Sequence, residues 1–549
     1  MVTISGEGLS IDDIAAVARG AKVEITKDRA VLDRVERSRQ KMADAIAAGQ
    51  QVYGVTTLYG AMADRRVPPE RMRELQRIAL WHHKAATGPR LTEEEVRAAM
   101  LLRANTLLKG ASSVRVELIE RLATFLNQGA SPHVYQRGSI GASGDLGQLS
   151  YIGASIVGLD PAFLVDYKGE TLDCVSALKK LGLKPLELEP KEGLALNNGT
   201  AASTAVAANA MARAYDVFAL GLALHALFAQ TLLATSQSFD EIIHRWKPHP
   251  GQIWIAAQMR GLIAGSKLIR SEAAGDRGHR AGALVQDRYA LRCLPQYMGP
   301  IIDGIAMSAR QVEVEANSAN DNPLNDPDTG EVYHTGNFLA QYTAVAMDQL
   351  RYHLGMLVKH LDVQIAMLVS PEFNHGLPPS LVGNPDHGLN IGLKSLQVGC
   401  NALAPLVGFY GGSMADRYPT HAEQYNQNIN SQAMNSANIA RDSVEACEHF
   451  MANALLFAIQ GAELRAKAVA DTHDPSPLLS AQTRGLYQAT RTAAVGPRAG
   501  DRPVIWDDTD GFIQPKVEGI LSDIRSRGAI LTSIEPLRGA VRAFAAEGR

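Results

Sequence analysis

Residues 200–236, 338–369 and 434–467 are rich in Ala and Leu, contain no proline, and are bounded by Gly, Pro or Asn. Runs beyond about 25 residues are long for helices in globular proteins, so each needs neighbours that bury more than one face. A bundle of long helices meets that need, and the chain is expected to be mainly α. Shorter helical patterns at 251–266, 302–319 and 387–411 fit the same body. The most apolar segment, 201–236, is interrupted by Arg213, Asp216 and His225, which points to a buried helix and not a membrane span.

Around this body the signals are more local. Residues 29–49 repeat apolar groups at three- and four-residue spacing and stop at Gly49. Residues 91–109 form a second such pattern, with Thr92 as N-cap and Glu95 three residues on as a capping box. Residues 114–127 form a third. Strand-like pieces are short, at 172–176 and at the edges of 160–170. The tail, 470–549, is more polar and broken by Pro475, Pro477, Pro497 and Pro503, so it is expected to cap the body with shorter helices. Three regions are expected: 1–195, 196–470 and 471–549. No internal repeat is visible.

With 549 residues, the chain is too long for one undivided core. Its formal net charge of −3 gives no reason to invoke nucleic acid or an anionic membrane. Cys174, Cys293, Cys400 and Cys447 lie far apart without a CxxC pair, which argues against zinc and a disulfide framework and fits a reducing cytoplasm. The N-terminus lacks the basic and apolar regions of a signal peptide.

One segment breaks the helical rhythm. Residues 128–150, QGASPHVYQRGSIGASGDLGQLS, are rich in Gly and Ser and are expected to be loop with at most one helical turn. A long irregular stretch inside a patterned region is more often functional than a linker. Gly138, Gly141 and Gly144 are spaced by three, but no strand precedes them, so a phosphate cradle is poorly supported. The commoner reading of Ala142-Ser143-Gly144 is a tight turn. It also has a chemical option: a glycine nitrogen, free of a Cβ, can approach the carbonyl two residues back. Loss of water, including the serine hydroxyl, then leaves a conjugated ring with an exposed methylene. Such a ring is an electrophile, which no ordinary side chain supplies.

GSIGASGDLGQLSYIG (138–153) resembles the signature of the histidine, phenylalanine and tyrosine ammonia-lyases. VYGVTTLYG (52–60), LNNGT (196–200), QDRYALRCLPQ (286–296), NSANDNPL (317–324), TGNF (335–338) and AEQYNQNINSQ (422–432) resemble further blocks of that family, in order and across nearly the whole chain. AEQYNQNINSQ and SPEFNHGLPPSLVGN (370–384) look most like the bacterial phenylalanine ammonia-lyase branch. The resemblance implies the fumarase/aspartase-like ammonia-lyase fold. It also implies methylidene-imidazolone (MIO) formed autocatalytically from Ala142, Ser143 and Gly144, with no metal or nucleotide. The partners it implies are a small amino-acid substrate and other copies of the chain, in a homotetramer whose sites draw on three chains.

Residue by residue, Tyr53 matches the family's base. A phenol titrates near pH 10, so it must be tuned toward the working pH, for example by cations or helix ends. Arg292 matches the carboxylate clamp, a guanidinium fork suited to a carboxylate, though arginines more often form surface ion pairs. Tyr289, three residues earlier, would share its helical face beside the ring. Asn198 and Gln286 match groups that hydrogen-bond the ring oxygen or the substrate. Asn198-Gly199-Thr200 is also a glycosylation sequon, a weak reading without secretion. Asn337 and Phe338 match the GNF block. Glu423, Asn426 and Gln427 match the family's glutamate and amides, and a buried glutamate would need such partners.

The pair expected at the distal end of the substrate ring is His82-His83. His82 could hydrogen-bond a phenolic hydroxyl, favouring tyrosine over phenylalanine, because a buried histidine facing an apolar ring would stay unpaired. His83 keeps histidine open as a substrate. A structural role for the pair, and a register error of one or two residues, stay open. The expected reaction is deamination to the trans-aryl acrylate. The competing readings are histidine deamination to urocanate, an MIO aminomutase, and a catalytically dead helical assembly protein.

Overall fold

The computed structural model describes residues 1–270, 286–417 and 421–547. They divide into two compact units. One comprises Met1–Ala212, Ser308–Asp348 and Ser413–Arg441; the other comprises Arg213–Met307, Gln349–Gly412 and Asp442–Arg549.

The long helices form where the sequence pattern placed them, as Ala201–Thr231, Gln341–Leu368 and Ala433–Ala470. Leu294–Ala316 starts earlier than expected because it carries Pro300 inside it, where the sequence reading had set a boundary. Ala201–Thr231 is apolar and long enough to cross a membrane, yet 94% of its most apolar window is buried within the protein. Burial of that extent identifies it as a core helix. The polar residues that interrupt it all find partners. Arg213 pairs with Glu448 at 2.9 Å, Asp216 with Arg538 at 2.8 Å, and His225 with Gln364 at 2.7 Å. Asp216 also meets Arg527 and Arg542, at 3.2 and 3.1 Å. These arginines belong to the tail, whose helices Ala481–Val495, Ile513–Arg525, Ala529–Ser533 and Glu535–Ala546 lie in the same unit.

In the first unit, Glu93–Leu108 opens with the expected capping box: Thr92 accepts from the Glu95 amide and Glu95 accepts from the Thr92 amide. The helix is buried nearly all round, so most of its polar side chains must find partners inside the protein. Arg97 donates to the carbonyls of Val17 and Leu126, which end two neighbouring helices. Arg29–Ala47 closes just before Gly49, which takes φ 79°.

The strands are short. Val2–Ile4 pairs in parallel with Val23–Ile25, and Ala130–Pro132, Leu164–Tyr167 and Glu170–Asp173 form a three-stranded antiparallel sheet. Two expectations need correction here. The strand foreseen at 172–176 ends at Asp173, whose side chain caps the Ser176 amide and starts the helix Cys174–Lys180. The segment 128–150 holds two strands, Ala130–Pro132 and Tyr135–Arg137, and the start of the helix Leu146–Val157. The longest irregular part is 138–145.

Candidate active site

Five pieces of the first unit, joined by Asn322 and Phe338, line a cavity of about 200 Å³. The first is the turn carrying Tyr53. Its flanking Val52 and Val55 are buried in an apolar cluster with Met42, Val67, Met72 and Leu75, which anchors the turn. The buried Gln76 then ties it down: its amide nitrogen donates to the Gly54 carbonyl at 2.9 Å, and its oxygen accepts from the Leu194 amide at 3.1 Å. Tyr53 Oη accepts from the Gly60 N–H at 2.8 Å, and its ring meets the edge of Tyr59.

The second piece is the helix Met72–His82. Ala79 and His83, four residues apart and so on one face, line the cavity. His83 Nδ1 lies 2.7 Å from the Ala79 carbonyl. His82 is exposed and is not among the residues that line the cavity in the single chain. One residue along a helix turns a side chain by about 100°, enough to move it from the pocket to solvent.

The third piece is the Gly-rich turn. Ser143 lines the cavity and Ala142 is buried beside it. Gly144 takes φ 70° and pairs with Gly199, and a Cβ at Gly144 would fall on the Gly199 carbonyl oxygen. Only glycine allows this approach. Asp145, wholly buried, donates its N–H to that same oxygen at 2.7 Å. Its carboxylate accepts from Ser139 Oγ, the Ser203 N–H and Ser203 Oγ. Burial raises the Asp145 pKa against these hydrogen bonds.

The fourth piece is Asn198, which ends the helix Glu192–Asn197. Its Nδ2 donates to the Ser143 carbonyl at 2.8 Å, while its Oδ1 accepts from the Asn322 N–H at 2.7 Å. Both ends of the amide are therefore fixed. The sequon reading fails on burial, since Asn198 is 3% exposed and Thr200 is fully enclosed.

The fifth piece is the loop 422–427. Gln427 Nε2 donates to Ser143 Oγ at 3.0 Å and to Glu423 Oε2 at 3.1 Å. Asn426 reaches the same Glu423 oxygen at 3.4 Å. Glu423 is exposed in the single chain, so the burial expected for it is not found; its amide partners are. Glu423, Gln424 and Tyr425 have φ of 49°, 53° and 66°, three consecutive left-handed residues without a glycine. This geometry brings the carboxylate against Gly60, where a Cβ would meet it at 2.7 Å.

Burial raises the Tyr53 pKa, the Gly60 N–H opposes that, and the Glu423 charge adds to it. No cation is among the groups acting on this phenol; the Gly60 N–H, at the start of the 3-10 turn Gly60–Met62, is the one that favours its charged form, and burial outweighs it. Burial lowers the His83 pKa, outweighing the Ala79 hydrogen bond.

Phe338 lines the cavity, but Asn337 does not; its amide donates to the Ala319 carbonyl. Gln286, Tyr289 and Arg292 belong to the second unit and are not lining residues. They form their own group. Arg292 Nη1 donates to Gln286 Oε1 at 2.6 Å, and its guanidinium sits 4.8 Å from the Tyr289 ring centre, as the three-residue spacing predicted. Tyr59, Gln76, Asp145, Leu194, Asn197 and Asn322 were not singled out from sequence. Asp145 had a signal in its place after Ala-Ser-Gly, and Tyr59, Asn197 and Asn322 in lying within the blocks 52–60, 196–200 and 317–324; Gln76 and Leu194 had none. Among the described residues no cluster of His, Cys, Asp or Glu could hold a metal.

Residues 9–492 match the family described as aromatic amino acid lyase. The chain belongs to that family. An aromatic ammonia-lyase of Loktanella atrilutea is 58% identical over 546 residues, covering 99% of this chain and 100% of that one. A phenylalanine ammonia-lyase of Nostoc punctiforme is 49% identical, covering 97% and 94%. Among solved structures, a tyrosine aminomutase from Streptomyces globisporus superposes with a TM-score of 0.87 at 30% identity, over 97% of this chain and 98% of that one. The mainly α fold of this aromatic amino acid lyase is thus the fold of its relatives.

Proposed function

We propose that this lyase expels ammonia non-oxidatively from an aromatic L-amino acid, tyrosine before phenylalanine, releasing the trans-aryl acrylate. The observation that carries the reading is the pair of amides on Ser143, Asn198 at its carbonyl and Gln427 at its hydroxyl, in a cavity that also holds the Tyr53 phenol.

Those contacts fit an MIO group made from Ala142, Ser143 and Gly144. Ring closure joins the Gly144 nitrogen to the Ala142 carbonyl carbon. One water leaves with the Ala142 oxygen and the amide hydrogens of Ser143 and Gly144; a second leaves with the Ser143 hydroxyl and its Cα hydrogen. The Ser143 carbonyl oxygen stays, and it is the atom that Asn198 holds. The group supplies an electrophilic methylene to the substrate. Tyr53 Oη takes the β-proton, and the Gly60 N–H aimed at that oxygen favours the phenolate. Leu194 and Phe338 offer apolar walls to an aromatic ring.

The Ala79 carbonyl can only accept, so neutral His83 donates from Nδ1 and keeps Nε2 as an acceptor. A phenolic hydroxyl satisfies that acceptor and a benzyl ring does not, which supports tyrosine. Arg292 would clamp the substrate carboxylate beside Tyr289 and Gln286, with Asn337 close to the same end. We read these groups as delivered by other copies in a homotetramer. Exposed Tyr352, Val363, Val398 and Phe409 support burial against further copies.

The test is product analysis with L-tyrosine, L-phenylalanine and L-histidine. Release of p-coumarate and cinnamate is expected, and urocanate as the main product would overturn the substrate class. The likeness to tyrosine aminomutase favours one second reading, return of ammonia to the β-carbon. A β-amino acid from L-tyrosine would establish it in place of the lyase.

A further inference from the structure

The turn Tyr289–Arg292 is only four residues long, yet it displays Tyr289 and Arg292 side by side. A turn this short cannot hold its own geometry, because it lacks the repeated hydrogen bonds of a longer helix. Its outer side is open at Tyr289, which is 72% exposed. Its inner face is held at two points. Leu291 is buried, and the Ala290 carbonyl accepts from Gln364 Nε2 at 2.7 Å.

Gln364 is fully buried on the helix Gln341–Leu368. A carbonyl can only accept, so the Gln364 amide nitrogen must face Ala290 and its oxygen must face the other way. That oxygen lies 2.7 Å from His225 Nδ1, on the helix Ala201–Thr231. The orientation then forces His225 to donate from Nδ1. His225 is itself enclosed, with the His360 ring edge-on at 4.8 Å and Tyr297 stacked on His360 at 4.7 Å. Burial keeps His225 neutral by pushing its pKa well below the usual value.

We infer that His225 and Gln364 are positioning residues that set Tyr289 and Arg292 for binding the substrate carboxylate, through the chain His225 Nδ1–H to Gln364 to the Ala290 carbonyl. This rests on the proposed lyase reading, in which Arg292 meets the carboxylate. Neither side chain touches substrate. Each acts by fixing one backbone oxygen, so its loss weakens whatever binds Arg292 and leaves the aromatic subsite intact.

The experiment compares competitive inhibition by cinnamate, which has the carboxylate, with that by cinnamyl alcohol, which does not. His225→Leu and Gln364→Met each remove a hydrogen-bonding partner at nearly constant bulk. His225→Asn keeps a donor nitrogen two bonds from Cβ, the position of Nδ1. Cinnamate should bind about tenfold more weakly to His225→Leu and Gln364→Met, with cinnamyl alcohol changed by less than about twofold, and His225→Asn should recover cinnamate binding. KM should rise by a similar factor, as for a contact made equally in ground and transition states. Equal weakening of both inhibitors, or of neither, overturns the inference. If either His225→Leu or Gln364→Met does not fold, the comparison of the other with His225→Asn decides alone. Wild-type enzyme that deaminates no aromatic amino acid overturns the lyase reading and this inference with it, whereas active wild type with unaffected variants overturns this inference only.

Discussion

His83 Nδ1 lies 2.7 Å from the carbonyl oxygen of Ala79, one helical turn behind it, and both residues line the cavity. This bond decides which ring nitrogen is left to meet a substrate, and it separates His83 from its neighbour His82, which faces solvent. Replacing His83 with Phe should shift the ratio of kcat/KM for tyrosine to that for phenylalanine toward phenylalanine by about tenfold or more, since a phenolic hydroxyl would lose its partner. His82→Phe should leave the ratio unchanged. The opposite pattern would return the selectivity role to His82.

Tyr53→Phe removes the proposed base without changing the ring that packs against Tyr59. A fall in kcat of roughly 100- to 10,000-fold is expected, with KM little altered. Because burial holds this phenol above its usual range, its base form grows as pH rises. Wild-type kcat/KM should therefore climb above neutral pH. A flat profile between about pH 7 and 10 would point to another base.

Ser143→Ala and Gly144→Ala should both keep the full chain mass, whereas the wild type should be lighter by two waters, about 36 Da. They should differ in stability. Ser143→Ala only loses a hydroxyl that Gln427 contacts, but Gly144→Ala drives a methyl into the Gly199 carbonyl and should lower Tm. An unmodified wild-type mass would remove the electrophile from the mechanism.

Glu315, nearly buried, accepts from Thr200 Oγ at 2.6 Å. Burial pushes its pKa up to about 7 despite that hydrogen bond, with the Asp145 charge adding to the effect. The folded protein then retains a proton that the unfolded chain releases between about pH 4.5 and 7, so stability should fall as pH rises through this window. Glu315→Gln should flatten that fall and leave the variant more stable than wild type at pH 8, by on the order of 3 kcal/mol. Urea unfolding at pH 5 and pH 8 checks this. Parallel curves for the two proteins would exclude Glu315 as the source.

The long helices were legible because a repeating apolar pattern is local and strong, and the Thr92 capping box because both its residues lie within one turn. Cys174–Lys180 was not, since an aspartate can end a strand and cap a helix at the same residue. In the site, Tyr53, Ser143, Asn198, Phe338, Glu423, Asn426 and Gln427 were named in advance and lie around one cavity. The choice between His82 and His83 was not legible, because a shift of one residue rotates the whole face of a helix. Gln76 was not legible as a site residue, and Asp145 only through its place after Ala-Ser-Gly. Their meaning comes from partners more than 50 residues away, Leu194 and Ser203, and a buried polar group announces itself only once the fold is known.

The left-handed run at Glu423, Gln424 and Tyr425 has a consequence for anyone who evolves this enzyme. L-residues resist that conformation by roughly 1–2 kcal/mol each, so a screen for heat resistance will favour glycine there. At Gln424, which makes none of the cavity contacts, such a change should look like a simple gain. It would also hand the neighbouring carboxylate a looser hinge, and the clones that survive the heat step best would be those most worth re-testing for turnover.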